Sequence, residues 1–222
     1  MSGRERRSDR DQRRRSLGQN FLVDQSLISK LICDLQIVED ELVVDLGAGS
    51  GALTVPLAQA GARVWAVERD PAWADRLASD ALAARLDDRI RVIRSDLRRL
   101  RFPREPFRVV ANPPFNLTTD VLKLLLDDPS SRSATRVDLV LQREVVMKHA
   151  SQPPKALTTA CWSPWWEFSA GRRIPAAAFR PRPSIDAAVL TIRRRDPPVL
   201  PIWLAPRFED LLRSSWQPPH PQ

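Results

Sequence analysis

The sequence predicts an α/β fold, a parallel sheet joined by right-handed crossovers and flanked by helices. Three observations predict it. Short apolar runs of strand length alternate with helical segments between residues 41 and 142. One run, Val43-Val44-Asp45-Leu46, feeds straight into Gly47-Ala48-Gly49-Ser50-Gly51 and then into a helical pattern. That is the strand, glycine loop, helix order of a βαβ unit. Finally, Gly47, Glu68, Asp96 and Asn112 fall at four successive strand ends, and the ligand crevice of such a sheet lies beyond the carboxyl ends of its strands.

The elements follow in order. Asp24 caps an amphipathic helix in which Leu27, Ile28, Leu31, Ile32 and Leu35 recur at helical spacing. Residues 41–46 read as a strand, 52–60 as a helix and 63–68 as a second strand. Residues 71–85 read as a helix with Asp70 at its cap and Pro71 at its first position. Residues 89–93, 107–111 and 137–142 read as the third, fourth and fifth strands, with a helix at 119–126. After residue 150 the regularity fades. Residues 161–168, with Trp162, Trp165 and Trp166, read as a late strand or hairpin with its tryptophans in the core. Residues 187–192 read as a final strand, preceded by the proline-rich Phe179-Arg180-Pro181-Arg182-Pro183. About 30 residues follow, too few for an independently folded domain.

Composition narrows the function classes. The chain has 222 residues, a formal charge of +8 and 43% hydrophobic residues. Its basic residues are nearly all Arg, and the net charge favours a polyanionic partner. Residues 1–15 are Arg-dense without a hydrophobic pattern and read as a disordered basic arm, with Arg13, Arg14 and Arg15 as candidate RNA contacts. Cys33 and Cys161 sit among apolar residues and read as buried small hydrophobes in a reducing compartment. His149 and His220 are isolated, so neither a metal site nor a Ser-His-Asp arrangement suggests itself. No apolar stretch approaches membrane-spanning length, and the expectation is a cytoplasmic monomer without a membrane partner.

The chemistry concentrates at residues 112–115, Asn-Pro-Pro-Phe. Two prolines fix φ and remove two donors, which leaves the Asn112 side-chain oxygen and the Pro113 carbonyl as acceptors. Phe115 adds a ring on which a base could stack. Such a turn suits a planar –NH₂ group under electrophilic attack, although Asn-Pro is also a common turn opener. The glycine loop admits two ligands. Gly47, Gly49 and Ala52 loosely satisfy a dinucleotide pattern, and S-adenosylmethionine sites use a similar loop after an acidic strand residue, here Asp45. In either case Glu68 is placed for ribose hydroxyls. Asp96 can accept from an adenine amino group, and a nicotinamide enzyme has no evident use for the Asn112 turn.

With these residues in view, the chain resembles the rRNA adenine N6-methyltransferases of the Erm and KsgA type over residues 16–195. Ser16-Leu17-Gly18-Gln19-Asn20-Phe21-Leu22 resembles the opening motif of that family, whose Asn and Leu, here Asn20 and Leu22, line the cofactor pocket. Gly47, Gly49, Glu68, Asp96 and Asn112 match its cofactor-binding positions, and Asn112, Pro113 and Phe115 its target-base motif. Gln142-Arg143-Glu144-Val145 and residues 179–183 resemble later motifs. The resemblance implies a Rossmann-like class I methyltransferase with a mostly parallel seven-stranded sheet. It also implies S-adenosyl-L-methionine as cofactor and no metal. The Pro-Pro-Phe form with Thr118-Thr119 is similar to the Erm members of actinobacteria. That implies methylation of an adenine N6 in the peptidyl-transferase loop of 23S rRNA and resistance to macrolide, lincosamide and streptogramin B antibiotics. Family members carry a helical C-terminal domain, of which residues 196–222 would be a short remnant.

Other readings remain open at this level. One is a small-subunit rRNA dimethyltransferase. Another is a DNA or glutamine-amide methyltransferase, which shares Asn-Pro-Pro-aromatic but usually ends it in Tyr. A third, of a different class, is a non-catalytic rRNA-binding assembly factor.

Overall fold

The computed structural model describes residues 20–130 and 134–216. Residues 1–15, with Arg13, Arg14 and Arg15, lie outside the described residues.

The main sheet has seven strands: β2 (Leu42–Leu46), β3 (Arg63–Glu68), β4 (Ile90–Arg94), β5 (Arg108–Ala111), β6 (Arg136–Gln142), β7 (Trp166–Ile174) and β9 (Ala187–Arg194). Their spatial order is β4-β3-β2-β5-β6-β9-β7. The first five are mutually parallel, and β9 runs antiparallel to both β6 and β7. A two-residue strand, β1 (Phe21–Leu22), pairs antiparallel with β8 (Phe179–Arg180). Every residue of β2 and of β5 is buried, which is why these central strands read as continuous apolar runs rather than as an alternation.

Helices cover both faces. On one side lie α1 (Gln25–Leu35), α2 (Thr54–Gln59) and α3 (Pro71–Ala83), packing Ile28, Leu31, Leu57 and Leu77 onto the sheet. On the other lie α4 (Thr118–Leu126), α5 (Arg143–His149) and α6 (Leu157–Trp162), contributing Val121, Leu125, Val146 and Trp162. The sequence signals for α1 and α3 work as read. Asp24 accepts from the Leu27 amide at 3.0 Å, and Asp70 accepts from the Ala72 amide at 2.8 Å with Pro71 at the first position. The helix expected at 52–60 begins only at Thr54, because residues 47–53 are taken up by successive turns.

Two expectations need correction. Residues 161–168 are strand only from Trp166 on. Cys161 and Trp162 end helix α6, and the strand starts at Trp166. The tryptophans are core, as expected, with Trp166 fully buried, and each indole N–H finds an oxygen. Trp162 donates to Asp127, Trp165 to the Leu200 carbonyl and Trp166 to the Leu126 carbonyl. Cys33 is exposed, not buried, because it lies on the outer face of α1 between the buried Ile32 and Leu35; Cys161 is buried. The last helix, α7 (Ala205–Ser215), packs Phe208 edge-on to Trp165 at 5.9 Å.

A buried ion cluster ties α1 to the amino-terminal edge of the sheet. Arg108 Nε donates to Asp138 at 2.9 Å, and Arg108 also donates to the Leu35 carbonyl at 2.9 Å. Thr191 donates to the other Asp138 oxygen at 2.8 Å. The second Arg108 nitrogen and Arg136 Nε lie 2.8 and 2.9 Å from Asp138 as charges but are not aligned as hydrogen bonds. Burial lowers the Arg108 pKa against the opposing pull of Asp138.

Chain direction fixes where a ligand can enter. From β2 the chain moves outward through β3 to β4, then returns to β5 on the far side of β2. The order therefore reverses between β2 and β5, and a crevice opens at their carboxyl ends.

Candidate functional site

A cavity of about 690 Å³ occupies that crevice, within the usual size range of small-molecule sites. Its first wall is the loop after β2. Gly49 has φ +51°, and a Cβ there would lie 2.8 Å from the Phe21 ring. Only glycine admits both the left-handed backbone and that approach. The Gly49 amide donates to Glu68 Oε2 at 2.9 Å, and the Asp70 amide donates to Oε1 at 2.8 Å. Glu68 ends β3 and is largely buried. Each of its oxygens accepts one backbone bond and keeps a second lone pair for a hydroxyl.

Below the loop, Asp45 is 2% exposed and accepts from the Thr54 hydroxyl at 2.6 Å. Burial raises its pKa to about 7; the Thr54 bond opposes the rise and the charge of Glu68 adds to it. Asp96 follows β4 and caps the 3₁₀ turn Leu97–Arg99, accepting from the Arg98 amide at 2.9 Å. That bond, with the charges of Arg69 and Arg98, holds its carboxyl below the ordinary value. It is an ionised acceptor at neutral pH. Arg98 pairs across the rim with Asp120 of α4 at 2.8 Å, and Leu97, Leu117 and Val121 supply apolar wall.

Asn112 follows β5. Its Nδ2 donates to the Asn20 carbonyl at 2.8 Å, which fixes the orientation of the amide. Its Oδ1 is then left buried without a hydrogen-bond partner. A buried acceptor without a donor is costly, about 1–3 kcal/mol, and asks for a ligand N–H. Pro114 and Leu117 lie beside it on the wall. The 3₁₀ turn Phe115–Leu117 then delivers the chain into α4, with the Thr118 hydroxyl donating to the Phe115 carbonyl at 2.9 Å.

The structure brings Asn20, Leu22, Gly47, Gly49, Glu68, Asp96 and Asn112 together around one cavity. Pro113 is buried behind the wall, and Phe115 lies outside it with its ring edge-on to Phe179 at 6.2 Å. Two lining aromatics were not among the predicted site residues. Phe21 and Trp73 pack with their rings tilted by 38°, 5.2 Å between centroids, beside the glycine loop. Phe21 lies inside the opening motif, between Asn20 and Leu22, but nothing local to Trp73 signals its position. Among the described residues no group of His, Cys, Asp or Glu is placed to hold a metal, and no helix is long and apolar enough to cross a membrane.

The donor set fits S-adenosyl-L-methionine. Glu68 offers spare acceptors to ribose hydroxyls and Asp96 an acceptor to an adenine amine. Leu97, Leu117 and Val121 supply apolar surface for a ring, and the glycine loop permits close backbone approach.

Comparison with known proteins agrees with this geometry. A family model described as ribosomal RNA adenine dimethylase matches residues 10–216. An rRNA adenine N-6-methyltransferase of Corynebacterium diphtheriae is 36% identical over 197 residues, covering 89% of this chain and 75% of that protein. The mycinamicin-resistance protein MyrB of Micromonospora griseorubida is 34% identical, covering 93% of this chain and 64% of its own length. The crystal structure of the 23S rRNA methyltransferase ErmE superposes with a TM-score of 0.76 at 26% identity, covering 87% of this chain and 78% of that one.

Proposed function

The chain belongs to the ribosomal RNA adenine dimethylase family, and on that premise we propose that it methylates N6 of an adenine in the peptidyl-transferase loop of 23S rRNA. Its cofactor is S-adenosyl-L-methionine. Similarity to MyrB and ErmE supports the large-subunit substrate and a role in macrolide, lincosamide and streptogramin B resistance. The observation that carries the reading is the buried, unpartnered Oδ1 of Asn112 on the cavity wall, its amide held by the Asn20 carbonyl.

The residues divide the work. Glu68, Asp96, Gly47 and Gly49 bind and orient the cofactor, with Asn20 and Leu22 completing the wall. When bound, the cofactor supplies a methyl group already activated on a sulfonium. The adenine N6 lone pair is delocalised into the ring, so the free amine is a weak nucleophile. Hydrogen bonds donated by N6 to Asn112 Oδ1 and to the Pro113 carbonyl would favour a pyramidal, more nucleophilic nitrogen. Held by Glu68, Asp96 and the glycine loop, the cofactor would supply its methyl to N6, and the proton lost from N6 would pass to solvent. Placement in line supplies much of the rate. The target base leaves its stack to reach the crevice, and Phe115, braced by Phe179, offers it a ring face. Arg13, Arg14 and Arg15 add phosphate contacts from the basic arm.

Radiolabelled S-adenosyl-L-methionine, purified protein and separated ribosomal RNAs test the reading. Label should enter 23S rRNA. Label in 16S rRNA alone would favour a small-subunit enzyme, and binding of cofactor without transfer would favour an assembly factor.

A further inference from the structure

Many arginines of this chain are held in ion pairs, and a few beside the site are not. At the amino-terminal edge, the arginines that open strands are neutralised. Arg63 pairs with Glu105, Arg89 with Glu39 and Asp40, and Arg108 and Arg136 with Asp138. At the carboxyl edge the pattern changes beside Asn112. Arg143, Arg180 and Arg182 are exposed, and none has a carboxylate partner among the described residues. Asp186, whose carboxyl feels the charge of Arg143, is engaged by Arg173 at 2.5 Å and by the Ala176 amide at 2.8 Å.

Topology puts these three arginines at one place. Strand β6 neighbours β5 with Leu139 opposite Ala111, so β6 runs three residues, about 10 Å, past the end of β5 on the side of Asn112. Arg143 is the first residue after β6, and its amide donates to the Asp186 carbonyl at 2.9 Å. Arg180 stands opposite Phe21 in the β1–β8 ribbon, next to Phe179 and so next to Phe115. Arg182 follows two residues on. Three exposed guanidinium groups outside any ion pair among the described residues, near the mouth where a base would enter, form a site for phosphate.

We propose that Arg143, Arg180 and Arg182 grip the RNA backbone beside Asn112 and hold the strand from which the target adenine is drawn. This rests on the rRNA reading of the preceding section. The clamp positions the nucleotide but reads no sequence, since phosphate contacts carry none.

The test is binding of a transcript of the peptidyl-transferase loop by the full chain across a salt series. The variants are Arg143→Ala, Arg180→Ala and Arg182→Ala, singly and together. A matched control is Arg85→Ala with Arg193→Ala, which removes two exposed, unpaired arginines away from the cavity mouth. Cofactor affinity, measured by calorimetry, reports folding and should not change. Each phosphate contact on single-stranded RNA contributes about 0.7 to the slope of log K against log salt. The triple variant should therefore lower that slope by roughly 2, and the control should leave it unchanged. An unchanged slope in the triple variant, or an equal loss per residue in the control, overturns the clamp. If the wild-type chain binds cofactor but transfers no methyl to the transcript, the functional reading itself fails, whatever the slopes.

Discussion

Replacing Asp45 with Asn should make the protein more stable at neutral pH and flatten part of its stability profile. Asp45 is buried beneath the glycine loop, bonded to Thr54, with its pKa raised from 3.8 to about 7. Below pH 3.8 the carboxyl is protonated in both folded and unfolded chains and contributes nothing. Between pH 3.8 and 7 the unfolded chain releases the proton while the folded chain keeps it, so stability falls as pH rises. Above 7 both forms are ionised and the loss is complete. About three pKa units at 1.36 kcal/mol each give a loss of about 4 kcal/mol by pH 8. Asn keeps a side-chain oxygen for the Thr54 hydroxyl and carries no charge. Asp34, Asp96, Glu105 and Asp186, whose pKa values are lowered, act with the opposite sign. They cancel when the two profiles are subtracted. Urea unfolding of wild type and Asp45→Asn from pH 4 to 8 gives the difference directly. It should grow with pH in favour of the variant. Parallel profiles would refute the buried-acid reasoning.

Three further outcomes are expected. Asn112→Ala should lower the single-turnover rate by about 10²–10³, the loss seen when a preorganised polar group is removed from a reacting centre, with cofactor affinity little changed; an unaltered rate would sink its assigned role. Gly49→Ala forces an L-residue into φ +51° and drives its Cβ toward Phe21. Cofactor affinity should fall about tenfold, for a backbone cost of about 1–2 kcal/mol, and Gly49→Ala with Phe21→Ala should recover only the steric part in calorimetry. Asp138→Ala leaves Arg108 buried with only Glu41, 3.6 Å away, as counter-charge, and chemical unfolding should show a loss of about 3–5 kcal/mol, largely restored in Arg108→Met with Asp138→Leu.

Much of this structure was legible in the sequence because the central parallel strands are short and mostly apolar and the strands are followed by residues of distinct chemistry. Val43 and Val44 could only be central strand, and Gly47, Glu68, Asp96 and Asn112 follow from the strand ends they occupy. Residues 161–168 were misread because α6 is six residues long and mostly buried. With so little polar face there is no helical period to see. Long-range contacts were also invisible. The bond that orients Asn112 comes from Asn20, 92 residues away, and no local pattern places Trp73 against Phe21. The arginines of the clamp read only as part of a basic composition until the ion pairs of the other arginines set them apart.

The most direct measurement is mass spectrometry of nuclease fragments of 23S rRNA after incubation with purified protein and S-adenosyl-L-methionine. Wild type should add one or two methyl masses to a single adenosine of the peptidyl-transferase loop, located at N6, and Asn112→Ala should add them about 10²–10³ times more slowly while still binding cofactor. Methylation elsewhere than an adenine N6, or equal methylation by Asn112→Ala, would contradict the assignment of this cavity.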